Sequence, residues 1–416
     1  MRAWVLHGIG DLRFETVEKP ALKPGEVLVQ VKAAGICGSD IPRIYQNGAH
    51  VHPLIPGHEF SGVVAEVGAG VDTAWLGQRV GVFPLIPCMA CAPCQKEHYE
   101  MCRQYRYIGS RQDGAFAEYV AVPVWNLLRL PESVSLEEAA MLEPMAVAVH
   151  AMRRIHPSAT DTVAVCGLGT IGLFLVMFLK EAGVGRVLTI GNKESQRRAA
   201  YALGVPDGDY YDCRCRATRP QAAQQDQATR PQAAQQDQDI RPQAARQDPA
   251  IRHQAAQQDQ EARPQAARQD PATRYQDMHT QDSTSVPAWI RSRTEGLGVD
   301  VFFECVGKEE TYAQAVESAA PLGRVMLVGN PFSDMGLERD SYWKILRDQL
   351  TVMGTWNSSF CHRPKDDWAY VLDRLAQKRI APARLITHRF SMGEMEKGFH
   401  IMRDKTGDYG KVMGIF

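Results

Sequence analysis

Apolar and polar positions alternate with a period of two over residues 26–32, and β-rich runs follow at 60–67, 79–85 and 115–122. Gly and Pro punctuate them at Pro24-Gly25, Pro53, Pro56-Gly57 and Gly68-Ala69-Gly70, so short strands joined by turns are predicted, as in an irregular β-barrel. The period changes at Ser135, and a helical pattern runs from 136 to about 154. Pro144 should kink it or end its first part. From Thr162 strand and helix alternate. Strands are predicted at 162–166, 186–190, 209–212, 301–304, 324–328 and 350–354, with helices near 171–182, 194–203, 286–294, 311–319 and 342–348. That order is the mark of an α/β parallel sheet covered on both faces. Helices near 366–378 and 392–403 and a strand at 411–416 close the chain. The expected division is a β-rich domain at 1–150, completed by 356–416, and a parallel-sheet domain at 151–355.

One segment breaks the scheme. Residues 219–273 are five copies of an eleven-residue unit, Arg-Pro-Gln-Ala-Ala-Gln-Gln-Asp-Gln-Ala-Thr and variants, and a sixth decays from Arg274. An eleven-residue period suits a right-handed coiled coil. However, the only large apolar residues in the copies are Ile240 and Ile251, and Pro occupies the second position in four of the five. A continuous helix does not tolerate that. The reading is a disordered low-complexity insertion over 214–280; a dedicated binding arm is the sharper alternative.

Composition narrows the function. The chain has 416 residues and a formal net charge of -1, which recommends neither nucleic acid nor a membrane surface as partner. The opening MRAWVLHGIGD has no apolar run before a cleavage site, and no stretch reaches the roughly 18 apolar residues of a membrane span. A soluble, cytoplasmic protein is expected. Its ten cysteines would then stay reduced, and clustered thiols point to metal.

Cys88, Cys91, Cys94 and Cys102 read C-x2-C-x2-C-x7-C. Four thiolates so spaced satisfy a closed, structural zinc. A second set is open. Cys37 and His58 offer sulfur and nitrogen, and Glu59 or Glu143 offers oxygen. Three protein ligands leave a position for substrate. Asp40 is a natural partner for the His58 imidazole, and the Ser39 hydroxyl can pass a proton.

Gly167-Leu168-Gly169-Thr170-Ile171-Gly172 is G-x-G-x-x-G after a predicted strand and at the start of a helix. This is a turn that admits a dinucleotide pyrophosphate to a helix N-terminus. The next strand ends Gly191-Asn192-Lys193. NAD sites usually carry an acid about 20 residues on from the glycines, and here Gly191 stands in that place. With Lys193, Arg197 and Arg198 nearby, the cofactor is NAD or NADP, leaning to NADP. Strand ends at Val306-Gly307 and Val328-Gly329 line the crevice of such a sheet.

Gly57-His58-Glu59-x2-Gly62-x5-Gly68-x2-Val71 resembles the zinc signature of the medium-chain, zinc-dependent alcohol and polyol dehydrogenases. The four-cysteine lobe, the glycine turn and Gly410-Lys411-Val412 follow in that family's order. The resemblance implies a GroES-like catalytic domain and a Rossmann domain with two zinc ions per chain. It implies Cys37, His58 and Glu143 on the catalytic zinc, Glu59 as an alternating ligand, and Ser39 as the start of a proton relay. Backbone at Val306 and Val328 would hold the nicotinamide carboxamide. The carboxylate at 143 favours the polyol branch. The stretches 37–44, 47–50, 58–62, 108–111 and 113–119 resemble its polyol-phosphate members. The implied reaction is oxidation of a secondary alcohol of a polyol or polyol phosphate, by a homodimer or homotetramer. Arg43, His50 and Arg111 are the candidate phosphate contacts. An unphosphorylated polyol or threonine is the alternative substrate, and a non-catalytic dinucleotide-binding protein the alternative class. Since the repeat falls on the adenine side of such a sheet, deleting 219–273 should change solubility or cofactor KM more than kcat. Steady-state kinetics of the deletion checks this, and a large loss of kcat refutes it.

Overall fold

The alternating stretch from Glu26 forms the strand Glu26–Ile36, buried along most of its length, in a computed structural model that describes residues 1–216, 285–364 and 366–416. The repeat at 219–273 lies outside the described residues. Three strands pair antiparallel with Glu26–Ile36: Glu59–Val67, Tyr119–Pro123 and Lys411–Ile415. They belong to a seven-stranded sheet that runs Ile386–Ser391, Lys411–Ile415, Glu26–Ile36, Glu59–Val67, Arg79–Val82, Leu127–Arg129. Val27, Val29, Phe60, Val64, Val80 and Phe116 fill its core. An N-terminal hairpin, Arg2–Gly8 with Asp11–Thr16, adds a pairing that the apolar pattern did not indicate.

Several elements differ from the sequence expectation: the strand expected at 324–328 spans Ala319–Leu327, the run at 79–85 divides into Arg79–Val82 and Leu85–Ile86, and two further differences bear on the site. The strand expected from 115 begins at Tyr119. The amides of Ala115 and Phe116 are already bound to the carbonyls of Gly57 and Pro56, so this part of the chain is spent on the loop before His58. The helical run from 136 breaks at Met141, giving Leu136–Ala140 and Leu142–Ile155. Ser135 and Glu138 cap the first helix reciprocally. Pro144 lies in the first turn of the second helix, where its missing N–H is not needed.

The second sheet has six parallel strands in the order Tyr210–Asp212, Arg186–Gly191, Thr162–Cys166, Val299–Glu304, Ala319–Leu327, Thr351–Gly354. Successive residues of a strand point to opposite faces. Val163, Val165 and Phe303 enter one apolar cluster, and Ala164, Cys166 and Phe302 another. Burial on both faces explains the unbroken apolar text of these strands. The strand order reverses between Thr162–Cys166 and Val299–Glu304, the switch point where doubly wound sheets bind ligands. Among the described residues no helix is long and apolar enough to cross a membrane.

Asp367 ties three elements together. Its carboxylate meets His150 Nδ1 at 2.7 Å and Arg153 Nη1 at 2.8 Å, and it accepts from Ser359 N and Oγ at 2.8 and 2.6 Å. Burial pushes its pKa up, but the hydrogen bond and charge of His150 and the Ser359 donors outweigh it, and the pKa lies below the usual aspartate value. A lowered folded pKa means stability that is present above the unfolded value and lost as pH falls through the folded one. Asp367→Asn should cost about 1–3 kcal/mol at neutral pH and flatten the acid limb of stability against pH. Urea unfolding between neutral and acid pH checks both.

Candidate active site

Strand register assembles the first cluster. Gly35 pairs with Glu59, and Ile36 pairs with Val412. Cys37 follows Ile36, His58 precedes Glu59 and Lys411 precedes Val412, so all meet at one end of the sheet. Donor atoms of Cys37, His58 and Glu59 lie within 4.8 Å of one another. Gly57 turns the chain into His58 at φ +98°, and a Cβ there would stand 2.5 Å from the Phe116 ring.

Charges around the cluster are paired. Asp40 is fully buried. It accepts from Cys37 N at 3.0 Å, binds Arg43, and places Oδ1 3.5 Å from His58 Nδ1. That nitrogen is buried and makes no hydrogen bond. Burial lowers the His58 pKa, but Asp40 and Cys37 outweigh it and raise it well above the usual value. The Ser39 hydroxyl donates to Cys37 Sγ at 3.3 Å.

The two glutamates differ. Glu59 is bound to Lys411, whose Nζ also donates to Ile36 O at 3.2 Å. Both side chains are buried. Glu143 accepts from the Tyr107 hydroxyl at 3.1 Å. Burial, opposed by His58 and reinforced by Glu59, raises its pKa to about 7. It lines the same cavity as Cys37 and His58 but is outside the set whose donor atoms lie within 4.8 Å. The geometry thus places Glu59 nearer the thiolate and imidazole, whereas the resemblance puts Glu143 first. Neighbouring-strand register carries Glu59 to the cluster, while Glu143 sits on the separate helix Leu142–Ile155. Tyr107 is a contact that the motifs missed. Lys411 stands in the Gly410-Lys411-Val412 motif, but nothing in the sequence pointed to its pairing with Glu59.

The cysteine lobe is tighter. Cys88 follows the strand Leu85–Ile86, Cys91 and Cys94 flank and enter the helix Ala92–Gln95, and Cys102 follows Tyr99–Met101. Sulfur separations are 3.9 Å for Cys88–Cys94, 3.4 Å for Cys91–Cys94 and 4.0 Å for Cys91–Cys102. Tetrahedral zinc at about 2.3 Å from each sulfur needs them roughly 3.8 Å apart. The donors fit, as do the thiolate, imidazole and carboxylate of the open cluster.

A cavity of about 550 Å³ joins the open cluster to the glycine turn. Cys37, Ser39, His58, Glu59 and Glu143 line it together with Gly169, Thr170, Ile171, Gly172 and Val328. A Cβ on Gly172 would stand 2.0 Å from Gly167 O, so only glycine lets the helix Thr170–Glu181 start this close to the turn. Val306 packs against Gly167. Gly191 ends its strand beside the turn, where a side chain would meet Tyr210 Oη at 2.7 Å and Gln196 Oε1 at 2.9 Å. A side chain there would require those two side-chain ends to move. Asn192 N donates to that Gln196 oxygen, and Lys193 Nζ lies over the Tyr409 ring. Arg197 is held by Asp207 and Tyr201, and Arg198 by Asp408, which takes two of the three nearby cations out of the lean to NADP.

Comparison with known proteins places the chain in a family. Residues 23–132 match the family model of the alcohol dehydrogenase GroES-like domain, and residues 254–377 that of the zinc-binding dehydrogenases. The chain belongs to the medium-chain, zinc-dependent alcohol and polyol dehydrogenases, enzymes that use NAD or NADP. It is 29% identical over 394 residues to galactitol 1-phosphate 5-dehydrogenase of Escherichia coli strain K12, spanning 94% of this chain and 92% of the relative. The crystal structure of the Escherichia coli galactitol-1-phosphate dehydrogenase superposes with a TM-score of 0.77 at 27% identity, over 100% of both chains. A zinc-binding dehydrogenase from Sinorhizobium meliloti 1021, solved bound to NADP, gives 0.73 at 26% identity over 100% of this chain and 99% of that one.

Metal analysis should find about two zinc per chain, one for each cluster. Cys91→Ser with Cys94→Ser should remove one equivalent and lower Tm. Cys37→Ala should remove the other and leave Tm within a few degrees. A chain holding one zinc before substitution would refute the pair of sites.

Proposed function

We propose that this chain oxidises a secondary alcohol of a polyol or polyol phosphate, with hydride transfer to NAD or NADP. The observation that carries this reading is the single cavity lined by both the thiolate–imidazole–carboxylate cluster and the glycine turn. Cys37 and His58 would hold the catalytic zinc, with the third place shared between Glu59 and Glu143. Lys411 competes with metal for Glu59, and this favours exchange over a fixed ligand. When bound, zinc supplies a Lewis acid that makes a substrate hydroxyl easier to deprotonate. Asp40 would orient the His58 imidazole and fix its tautomer. Ser39, already donating to Cys37 Sγ, stands where it can accept the hydroxyl proton and pass it outward. The amides at Gly169 and Thr170 open the helix Thr170–Glu181 toward a pyrophosphate. Gly191 leaves either ribose form admissible, since it offers neither a carboxylate to bind a hydroxyl nor one to repel a phosphate.

A cytoplasmic homodimer is the assembly we propose. The helix Arg339–Arg347 leaves Tyr342, Trp343 and Leu346 at least half exposed, beside the edge strand Thr351–Gly354. Two copies meeting there would cover both the apolar face and the strand edge.

Steady-state assays with galactitol 1-phosphate, sorbitol and threonine, each with NAD and NADP, test the function. A polyol or its phosphate should be oxidised with kcat/KM at least tenfold above threonine. Ser39→Ala should lower kcat by about 10²-fold, in line with the loss of a positioned proton carrier. Turnover of threonine alone, or of none of the three, refutes the reading.

A further inference from the structure

The cavity lining holds charges of both signs: the carboxylates Glu59 and Glu143 with Cys37 and His58, and the basic side chains Arg43, His50 and Arg111. The His50 pKa is lowered first by burial and then by the charges of Arg111 and Arg43, which places both guanidinium groups within electrostatic reach of the imidazole.

The two arginines are not equivalent. Arg43 is bound to the buried Asp40, the carboxylate that faces His58, so its charge is already matched. Arg111 makes no ion pair among the described residues. Its guanidinium lies 4.8 Å from the centre of the Tyr105 ring, a contact that orients the planar fork without neutralising it. The turn that carries it is firmly placed. Arg111 N and Ser110 N both donate to Tyr107 O, and Gly109 N donates to Gln112 O. Gly109 packs so closely on Gly57 that a Cβ would stand 2.2 Å from Gly57 O. Gly57 precedes His58. The spacing between the Arg111 guanidinium and the metal cluster is therefore set by backbone contact, with only the arginine side chain left to adjust.

A guanidinium without a counter-charge, with an imidazole beside it, is satisfied by an anionic ligand, and its fork suits the paired oxygens of a phosphomonoester. We propose that Arg111, with His50 beside it, is the subsite for the phosphate end of the substrate, and that Arg43 is a positioning residue for Asp40 rather than a phosphate contact. The proposal rests on the polyol dehydrogenase reading of this cavity. It commits that reading to a substrate with an alcohol at one end and a phosphate monoester at the other.

The test compares wild type, Arg111→Ala and Arg111→Lys with galactitol 1-phosphate and with galactitol. The ratio of kcat/KM for the phosphorylated over the free polyol should fall by about 10- to 100-fold in Arg111→Ala, the range of a lost charged hydrogen bond. The fall should be in KM rather than kcat, and Arg111→Lys should recover part of it. Inorganic phosphate should inhibit wild type competitively against galactitol 1-phosphate and inhibit Arg111→Ala at least tenfold less. A ratio that stays constant, because both substrates suffer equally or neither does, overturns the subsite. If wild type oxidises neither polyol, titration calorimetry with inorganic phosphate separates the two claims. Binding by wild type and not by Arg111→Ala keeps the subsite and removes the polyol reading, whereas equal binding by both, or by neither, overturns the subsite as well.

Discussion

Glu59 and Lys411 are 352 residues apart in sequence and form an ion pair that is almost wholly out of water. Burying two charges is costly, and the pair persists only where geometry and further hydrogen bonds compensate. Here Lys411 also binds Ile36 O, one residue before Cys37. A single ammonium group thus joins the last strand of the chain to both ends of the metal cluster. The first sheet depends on the same junction, because Lys411–Ile415 completes the pairing of the central strand Glu26–Ile36.

From that junction the division of labour between the sheets follows. The seven-stranded sheet presents Cys37, His58 and Glu59 at one end, and the parallel sheet presents the glycine turn at its switch point. The helix Leu142–Ile155 packs in the core with Thr170–Glu181 and carries Glu143 into the cavity. A polar residue at that helix start is tolerable because Tyr107 donates to it. The carboxylates thus come from two different elements, a strand and a helix. This gives the cluster two oxygen donors with different restraints.

What was legible in the sequence was local. The four cysteines of the lobe lie in a fifteen-residue stretch, so their spacing nearly determines their meeting. The glycine turn reads well too, because its motif is contiguous and Gly172 answers a contact with Gly167 only five residues away. The alternation of strand and helix after Thr162 announced a parallel sheet because those strands are buried on both faces. Boundaries were less secure where backbone groups were claimed from afar, as at Ala115 and Phe116. Pro144 read as an interruption, and the run does end at Ala140, the residue whose carbonyl a proline at 144 cannot bind.

The sequence by itself determined the donor types, the closed cysteine lobe, the dinucleotide turn and the class of sheet, because each depends on neighbours within one or two turns of chain. Only the tertiary structure decided which carboxylate stands nearest Cys37 and His58, that Lys411 holds Glu59, that Arg197 and Arg198 are already paired, and that among the described residues Arg111 is left without a carboxylate while Arg43 is not. Those outcomes depend on strand register and on charges brought together from distant positions. Spacing along the chain carries no record of either.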